Sequence, residues 1–145
     1  MTKKLLVIAL GAALSCFALT ATAQDGKAKK SQVDVSKLPP AATKASVTYA
    51  ADIKPIFEKS CVKCHGPEKP KSHLRLDSLE GAMKGGDNGK VIEPGKSADS
   101  VLIHNVAHIG DEDDYMPPPN NKAKIGPLTK DEIGLLRAWI DQGAK

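Results

Sequence analysis

The sequence predicts an all-α domain of three to five short helices. Apolar residues between Tyr49 and Cys61 recur at spacings of three and four, which places them on one face of a helix. Thr129 and Glu132 have the spacing of a capping box, and an apolar stripe follows them. Between these two regions, cap and turn signals indicate further short helices.

The first helix is predicted to cover residues 53 to about 64. Asp52 is the expected N-cap, and this assignment puts Pro55 in the first turn, where its missing N–H costs little. Gly66 and Pro67 are expected to end the helix, because glycine permits a turn and proline cannot continue a helix.

The closing helix is predicted at residues 130–142, with a length of about 20 Å that is sufficient to cross the first helix. Two shorter helices are expected in the middle of the chain. One covers residues 78–84, and the other begins at Ser97 or Asp99.

The strongest chemical signal is the run Cys61-Val62-Lys63-Cys64-His65. Two thiols and an imidazole at this spacing are typical of covalent attachment of a c-type haem. Each thiol forms a thioether with one vinyl group of the porphyrin, and the histidine becomes the proximal ligand of the iron. We therefore expect one covalent haem c, with Cys61 and Cys64 as attachment points and His65 as a ligand.

Two other readings of the motif are possible. A zinc site would need two more ligands, which His104 and His108 would have to supply. A redox dithiol would be expected to open a helix in a βαβ unit, and the surrounding sequence has no such pattern.

Met116 is predicted to be the distal ligand of the iron. Three prolines follow Met116. The first restricts Met116 to an extended conformation, and the three together stiffen the chain that follows. The thioether therefore loses little conformational entropy when it binds. Met83 is a rival, although a methionine on a helix face more often packs in a core. His104 and His108 are either surface residues or alternatives to Met116 on the distal side.

Arg75 is a candidate partner for a haem propionate, and a solvated surface position is the alternative. The acidic run at residues 111–114 is expected to be a solvated loop. It lacks the glycine and the closing glutamate of a hand-type calcium loop, and a docking role towards a basic partner stays open.

Large apolar side chains are scarce, because the aromatic residues comprise only two Phe, two Tyr and one Trp. A small domain with this composition is short of core material. A haem would supply the missing apolar bulk, so we expect folding and cofactor binding to be coupled.

The net charge of +4 comes from the N-terminal part of the chain. Residues 49–145 carry 14 Lys and Arg against 15 Asp and Glu, a balance of −1. The charge pattern therefore does not indicate a nucleic-acid-binding domain.

Residues 1–23 are predicted to be a secretory signal peptide. Lys3 and Lys4 precede an apolar stretch, and Ala21-Thr22-Ala23 forms a small-residue cleavage site. An uncleaved membrane anchor and lipidation at Cys16 are the alternatives. Because c-type haem is attached outside the cytoplasm, a periplasmic or otherwise exported location, with possible tethering to a membrane, agrees with the haem motif.

Residues 24–47 are predicted to be a flexible linker, and residues 48–145 the haem domain.

The order of helix, haem-binding turn, methionine loop and closing helix matches a class I cytochrome c fold. From about Asp52 to Ala144 the chain resembles the planctomycete-type cytochrome c domain. The matching stretches are Asp-Ile-Lys-Pro-Ile-Phe (52–57), Cys-Val-Lys-Cys-His-Gly-Pro (61–67), Leu-Arg-Leu-Asp-Ser (74–78), Lys-Gly-Gly-Asp (84–87), Pro-Gly-Lys-Ser (94–97), Met-Pro-Pro-Pro (116–119) and Leu-Leu-Arg-Ala-Trp-Ile-Asp-Gln-Gly-Ala (135–144).

The resemblance implies a small haem domain with Cys61 and Cys64 as attachment points, His65 as proximal ligand and Met116 as distal ligand. One departure is Tyr115, which stands where the family often has arginine.

These features predict a monomeric one-electron carrier that is not an enzyme and that exchanges electrons with redox protein partners. Two alternatives are a haem enzyme or gas sensor with an open sixth position, in which His104 or His108 would act on the distal side, and a structural haem domain of a larger complex.

Overall fold

The computed structural model describes residues 33–145, and this part of the chain folds into helices and turns without a β-sheet. The predicted signal peptide at residues 1–23 and the first residues of the predicted linker lie outside the described residues. None of the helices in the described part is long and apolar enough to cross a membrane.

Five α-helices follow one another in the described residues, which confirms the predicted all-α class. They are α1 (Lys54–Ser60), α2 (Val62–His65), α3 (Leu79–Lys84), α4 (Val101–Val106) and α5 (Lys130–Asp141). Short helical turns lie at Val35–Lys37, Tyr49–Ile53, Lys71–His73, Ser97–Asp99 and Glu112–Asp114.

The first helical region starts earlier than the sequence predicts. Thr48, not Asp52, is the N-cap, because the Thr48 hydroxyl accepts the N–H of Ala51. The carboxylate of Asp52 instead accepts the Thr48 N–H at 2.9 Å. The wide turn Tyr49–Ile53 then leads directly into α1.

The capping box of the closing helix is confirmed. The Thr129 hydroxyl accepts the Glu132 N–H at 3.2 Å, and the Glu132 carboxylate accepts the Thr129 N–H at 2.8 Å. Leu128 and Ile133 on either side of the box are both buried. Lys59 of α1 donates to the same carboxylate at 2.8 Å, which ties the start of α5 to α1.

Three aromatic rings form the centre of the core between α1 and α5. Trp139 and Phe57 are fully buried, with ring centroids 6.3 Å apart in an edge-to-face arrangement. Tyr49 packs 6.0 Å from Trp139 and 6.2 Å from Phe57. The indole N–H of Trp139 donates to the carbonyl of Lys145 at 3.0 Å, so the buried polar group is satisfied.

The sequence predicts a flexible linker at residues 24–47, but within this segment residues 39–47 bond to α5 or to its C-cap residue Gln142. The N–H of Ala42 donates to the carbonyl of Gly134 at 2.9 Å. The guanidinium of Arg137 donates to the carbonyl of Pro39. These contacts place residues 39–42 in the packed domain.

The close approach depends on a glycine. A Cβ on Gly134 would lie 3.0 Å from the carbonyl oxygen of Pro40, a tight contact that the absent side chain avoids. Farther along, Val47 is buried, and its N–H donates to the side chain of Gln142 at 2.9 Å. The linker prediction relied on the polar composition of the side chains in this segment. The segment is instead attached through its backbone N–H and C=O groups, which any residue type can supply.

We expect Thr129→Ala to lower the free energy of unfolding by about 1 kcal/mol, because the substitution removes the N-cap hydroxyl of α5. Chemical denaturation of the holoprotein would measure the change. Equal stability of the variant and the parent protein would contradict a contribution from the cap.

Glu132 should make the stability depend on pH in the acidic range. The hydrogen bond from Lys59, followed by that from the Thr129 N–H, lowers the pKa of Glu132 below its ordinary value of 4.5. A lowered folded-state pKa means that the stabilisation is present above pH 4.5 and is lost as the pH falls through the folded-state pKa. Glu132→Gln should therefore flatten this part of the stability–pH curve. Glu58→Gln, on an exposed position of α1, is the matched control.

Candidate functional site

The Cys61–His65 motif, the predicted haem-attachment site, lies at a break between two helices. The backbone of Cys61 has a φ of −124°, which ends α1, and α2 begins at the next residue. The carbonyl of Cys61 accepts the N–H groups of Cys64 at 3.0 Å and His65 at 2.9 Å. This tight turn holds both thiols and the imidazole in one short segment, and the thiols are not joined by a disulfide.

His65 has the geometry of a metal-ligating histidine. Its Nδ1 lies 3.2 Å from the carbonyl oxygen of Leu74. Because a carbonyl only accepts, this contact places the proton on Nδ1 and leaves a lone pair on Nε2. Burial lowers the pKa of His65 below its ordinary value of 6.5, which favours the neutral ring that binds metals.

The Cys61 thiol does not have the lowered pKa that is typical of a reactive thiol in a redox dithiol. Burial is the main factor that raises the pKa of Cys61 to about 12, and the neighbouring Cys64 adds to the effect. Reactive thiols of redox dithiols have lowered pKa values instead. The environment of Cys61 therefore does not favour redox-dithiol chemistry.

One cavity of about 270 Å³ brings the candidate haem-binding residues together. Cys61, Cys64, His65 and Met116 all line it. The volume is close to the lower end of the range of roughly 300–1,000 Å³ that is usual for ligand pockets. Most of the wall is apolar and includes Leu74, Leu76, Val91, Val101, Leu102, Val106, Pro117, Ile125 and Leu128.

Of the two candidate methionines in the described residues, only Met116 lines this cavity. Its N–H donates to the carbonyl of Asn105 at 3.0 Å, so the segment is bonded to the end of α4. Met83 instead packs against the hydrophobic core from α3, as expected for a methionine on a helix face.

Neither rival histidine is among the residues that line the cavity. The Nε2 of His104 lies 2.6 Å from the carbonyl oxygen of Ala98. The ring of His108 stacks on Tyr115, with centroids 4.6 Å apart and planes 4° from parallel. Within residues 33–145, no group of three His, Cys, Asp or Glu side chains is placed to hold a metal ion, so the zinc reading gains no support.

Arg75 is not brought to the cavity. Its guanidinium pairs with the carboxylate of Asp77 through two hydrogen bonds of 2.9 Å and 2.6 Å on the surface. The charged residues that do line the described cavity wall are Asp87 and Asp114, alongside the titratable His65. The predicted propionate contact of Arg75 therefore has no geometric support.

Two asparagines of the site are absent from the sequence prediction. Asn105 lines the cavity and offers the carbonyl that binds the Met116 N–H. Asn121 closes the loop after the prolines, because its side chain donates to the carbonyls of Pro118 and Ile125 and accepts the Ile125 N–H at 2.9 Å. Asparagine next to a proline-rich stretch signals a loop in general, but nothing in the sequence indicates these partners.

These residues fit a covalently attached haem. Two thiols, an imidazole with a free Nε2 and a thioether share one cavity with apolar walls. Thiols can form the two thioether bonds, and imidazole and thioether are both axial ligands of haem iron. The donor set and the walls thus agree with the chemistry that the sequence motif indicates.

The comparisons with known proteins agree with this geometry. A family model described as planctomycete cytochrome C matches residues 61–120, a range that includes both cysteines, His65 and Met116. No curated protein and no solved structure gives a significant match. The family implies a covalently bound haem and the role of an electron carrier. Residues 61–120 are therefore similar to planctomycete cytochrome C, which agrees with the resemblance seen in the sequence motifs and with the helical fold.

Proposed function

We propose that this protein is an exported monohaem c-type cytochrome that carries single electrons between redox proteins. Cys61 and Cys64 attach the haem, His65 is the proximal ligand and Met116 is the distal ligand. The observation that carries the proposal is the shared cavity, since four residues from two distant parts of the sequence line it.

The chain contributes positioning rather than a reacting group. The Leu74 carbonyl fixes the tautomer of His65, so Nε2 is the nitrogen that is available to a metal. The Asn105 carbonyl holds the backbone of Met116 at the cavity wall. When bound, the haem supplies one-electron redox chemistry. If His65 and Met116 both held the iron, no position would be left for a substrate, which supports electron transfer rather than catalysis.

The location and the partners follow from the same chemistry. Haem attachment through two thioethers requires export, so the predicted signal peptide supports a periplasmic or otherwise extracytoplasmic site, with tethering if the leader is retained. Transfer between proteins uses small and transient interfaces, which suits a freely diffusing monomer.

We expect the export-matured protein to carry one haem through Cys61 and Cys64. Protein expressed with a haem-attachment system should be coloured, and its denatured mass should include one porphyrin. Cys61→Ala combined with Cys64→Ala should give denatured protein without bound porphyrin, because both attachment atoms are removed. A colourless parent protein with two alkylatable thiols would contradict the proposal.

Met116→Ala should abolish the near-infrared sulfur-to-iron band of the oxidised protein and lower the reduction potential, because a thioether ligand raises the potential. Met83→Ala is the matched control, since it removes a thioether from α3 that does not line the cavity. Optical spectroscopy and potentiometric titration would measure both effects.

Carbon monoxide separates this proposal from the haem-enzyme and gas-sensor alternatives. The reduced parent protein should bind carbon monoxide slowly or not at all, and Met116→Ala should bind it readily. Rapid binding by the parent protein would show an open or weakly held sixth position and would favour the alternatives.

A further inference from the structure

We propose that His108 is a positioning residue whose ring, stacked on Tyr115, holds Met116 at the cavity and limits its displacement by other ligands. The inference rests on the proposed ligation by Met116. It assigns a role to a residue that does not itself line the cavity.

The stack acts on the residue next to the ligand. The rings of His108 and Tyr115 lie 4.6 Å apart and within 4° of parallel, and Tyr115 directly precedes Met116. A stacked ring loses the freedom to turn about its side-chain bonds, so the backbone from which it projects is restrained as well. The restraint on Tyr115 therefore extends to the start of Met116.

The backbone at His108 gives no reason for a histidine. The N–H of His108 donates to the carbonyl of Asn105 at 3.3 Å, and the N–H of Ile109 donates to the carbonyl of His104 at 3.1 Å. These two bonds form a Schellman motif at the end of α4, with His108 at the left-handed position, where its φ is 53°. Glycine or asparagine is usual there, because a larger side chain disfavours this conformation.

A hydrogen bond at the buried ring nitrogen does not explain why residue 108 is a histidine either. The Nε2 of His108 is buried and has no hydrogen-bond partner among the described residues. His104, four residues earlier, differs in this respect because its Nε2 contacts the carbonyl of Ala98. What the ring of His108 demonstrably provides is its flat face against Tyr115.

Besides the ring stack, a backbone hydrogen bond connects the same two segments. The carbonyl of Asn105 accepts both the His108 N–H and the Met116 N–H, the latter at 3.0 Å. The end of α4 thus holds the methionine segment through one backbone bond and one ring stack. Because a thioether is a weak ligand, its occupancy of the iron depends on how well its own segment is pre-organised.

His108→Gly is the decisive variant. Glycine removes the ring and at the same time relieves the left-handed backbone, so the turn itself should not be destabilised. We expect the holoprotein of this variant to show a weaker near-infrared band and a two- to tenfold higher affinity for added imidazole, roughly the value of one aromatic stack. His108→Phe keeps a flat ring and loses no hydrogen bond at the buried Nε2, so it should restore both readouts.

A purely structural role gives a different result. In that case His108→Gly would leave the band and the imidazole affinity at the values of the parent protein, and the inference would be overturned. If His108→Gly does not mature with haem, Tyr115→Leu removes the stack from the other side without changing the turn, and the same two outcomes apply.

Met116→Ala distinguishes failure of this inference from failure of the proposed function. If Met116→Ala leaves the band intact, the ligation is wrong and the role of His108 is wrong with it. If Met116→Ala abolishes the band while His108→Gly and Tyr115→Leu leave it unchanged, only the role of His108 is wrong.

Discussion

The packing of Trp139 on Phe57 is the interaction on which the rest of the structure depends. The two fully buried rings fix α5 against α1, and deletion of such a ring from a core typically costs about 3–5 kcal/mol. The end of α1 leads directly into Cys61 and α2. A fixed α1 therefore sets the position of the cysteine–histidine wall of the cavity.

The segment around Leu74 and Leu76 connects this core to the site. The Tyr49 hydroxyl donates to the Leu76 carbonyl at 3.3 Å, and the Leu76 N–H donates to the His65 carbonyl at 2.8 Å. Two residues earlier, the Leu74 carbonyl accepts the Nδ1 proton of His65. The orientation of the imidazole is thus coupled to the aromatic core through a short run of backbone bonds, while both leucines also line the cavity.

The segment around Met116, which also lines the cavity, has a different support. The prolines after Met116 stiffen the chain on one side, but the side towards residue 115 is held by the end of α4. Asn105 binds the Met116 backbone, and His108 stacks on Tyr115. The cysteine–histidine segment and the methionine segment consequently depend on separate sets of contacts.

The sequence by itself determined the all-α class, the capping box of α5, the Cys-x-x-Cys-His motif at residues 61–65 and Met116 as the candidate thioether. These are local patterns, in which spacing along the chain fixes the chemistry or the helix boundary. The tertiary structure alone decided that residues 39–42 pack on α5, that Arg75 pairs with Asp77 away from the cavity, and that Asn105 and His108 support the methionine segment. These outcomes depend on contacts between residues distant in sequence or on the exact course of a turn, and residue spacing carries no information about either.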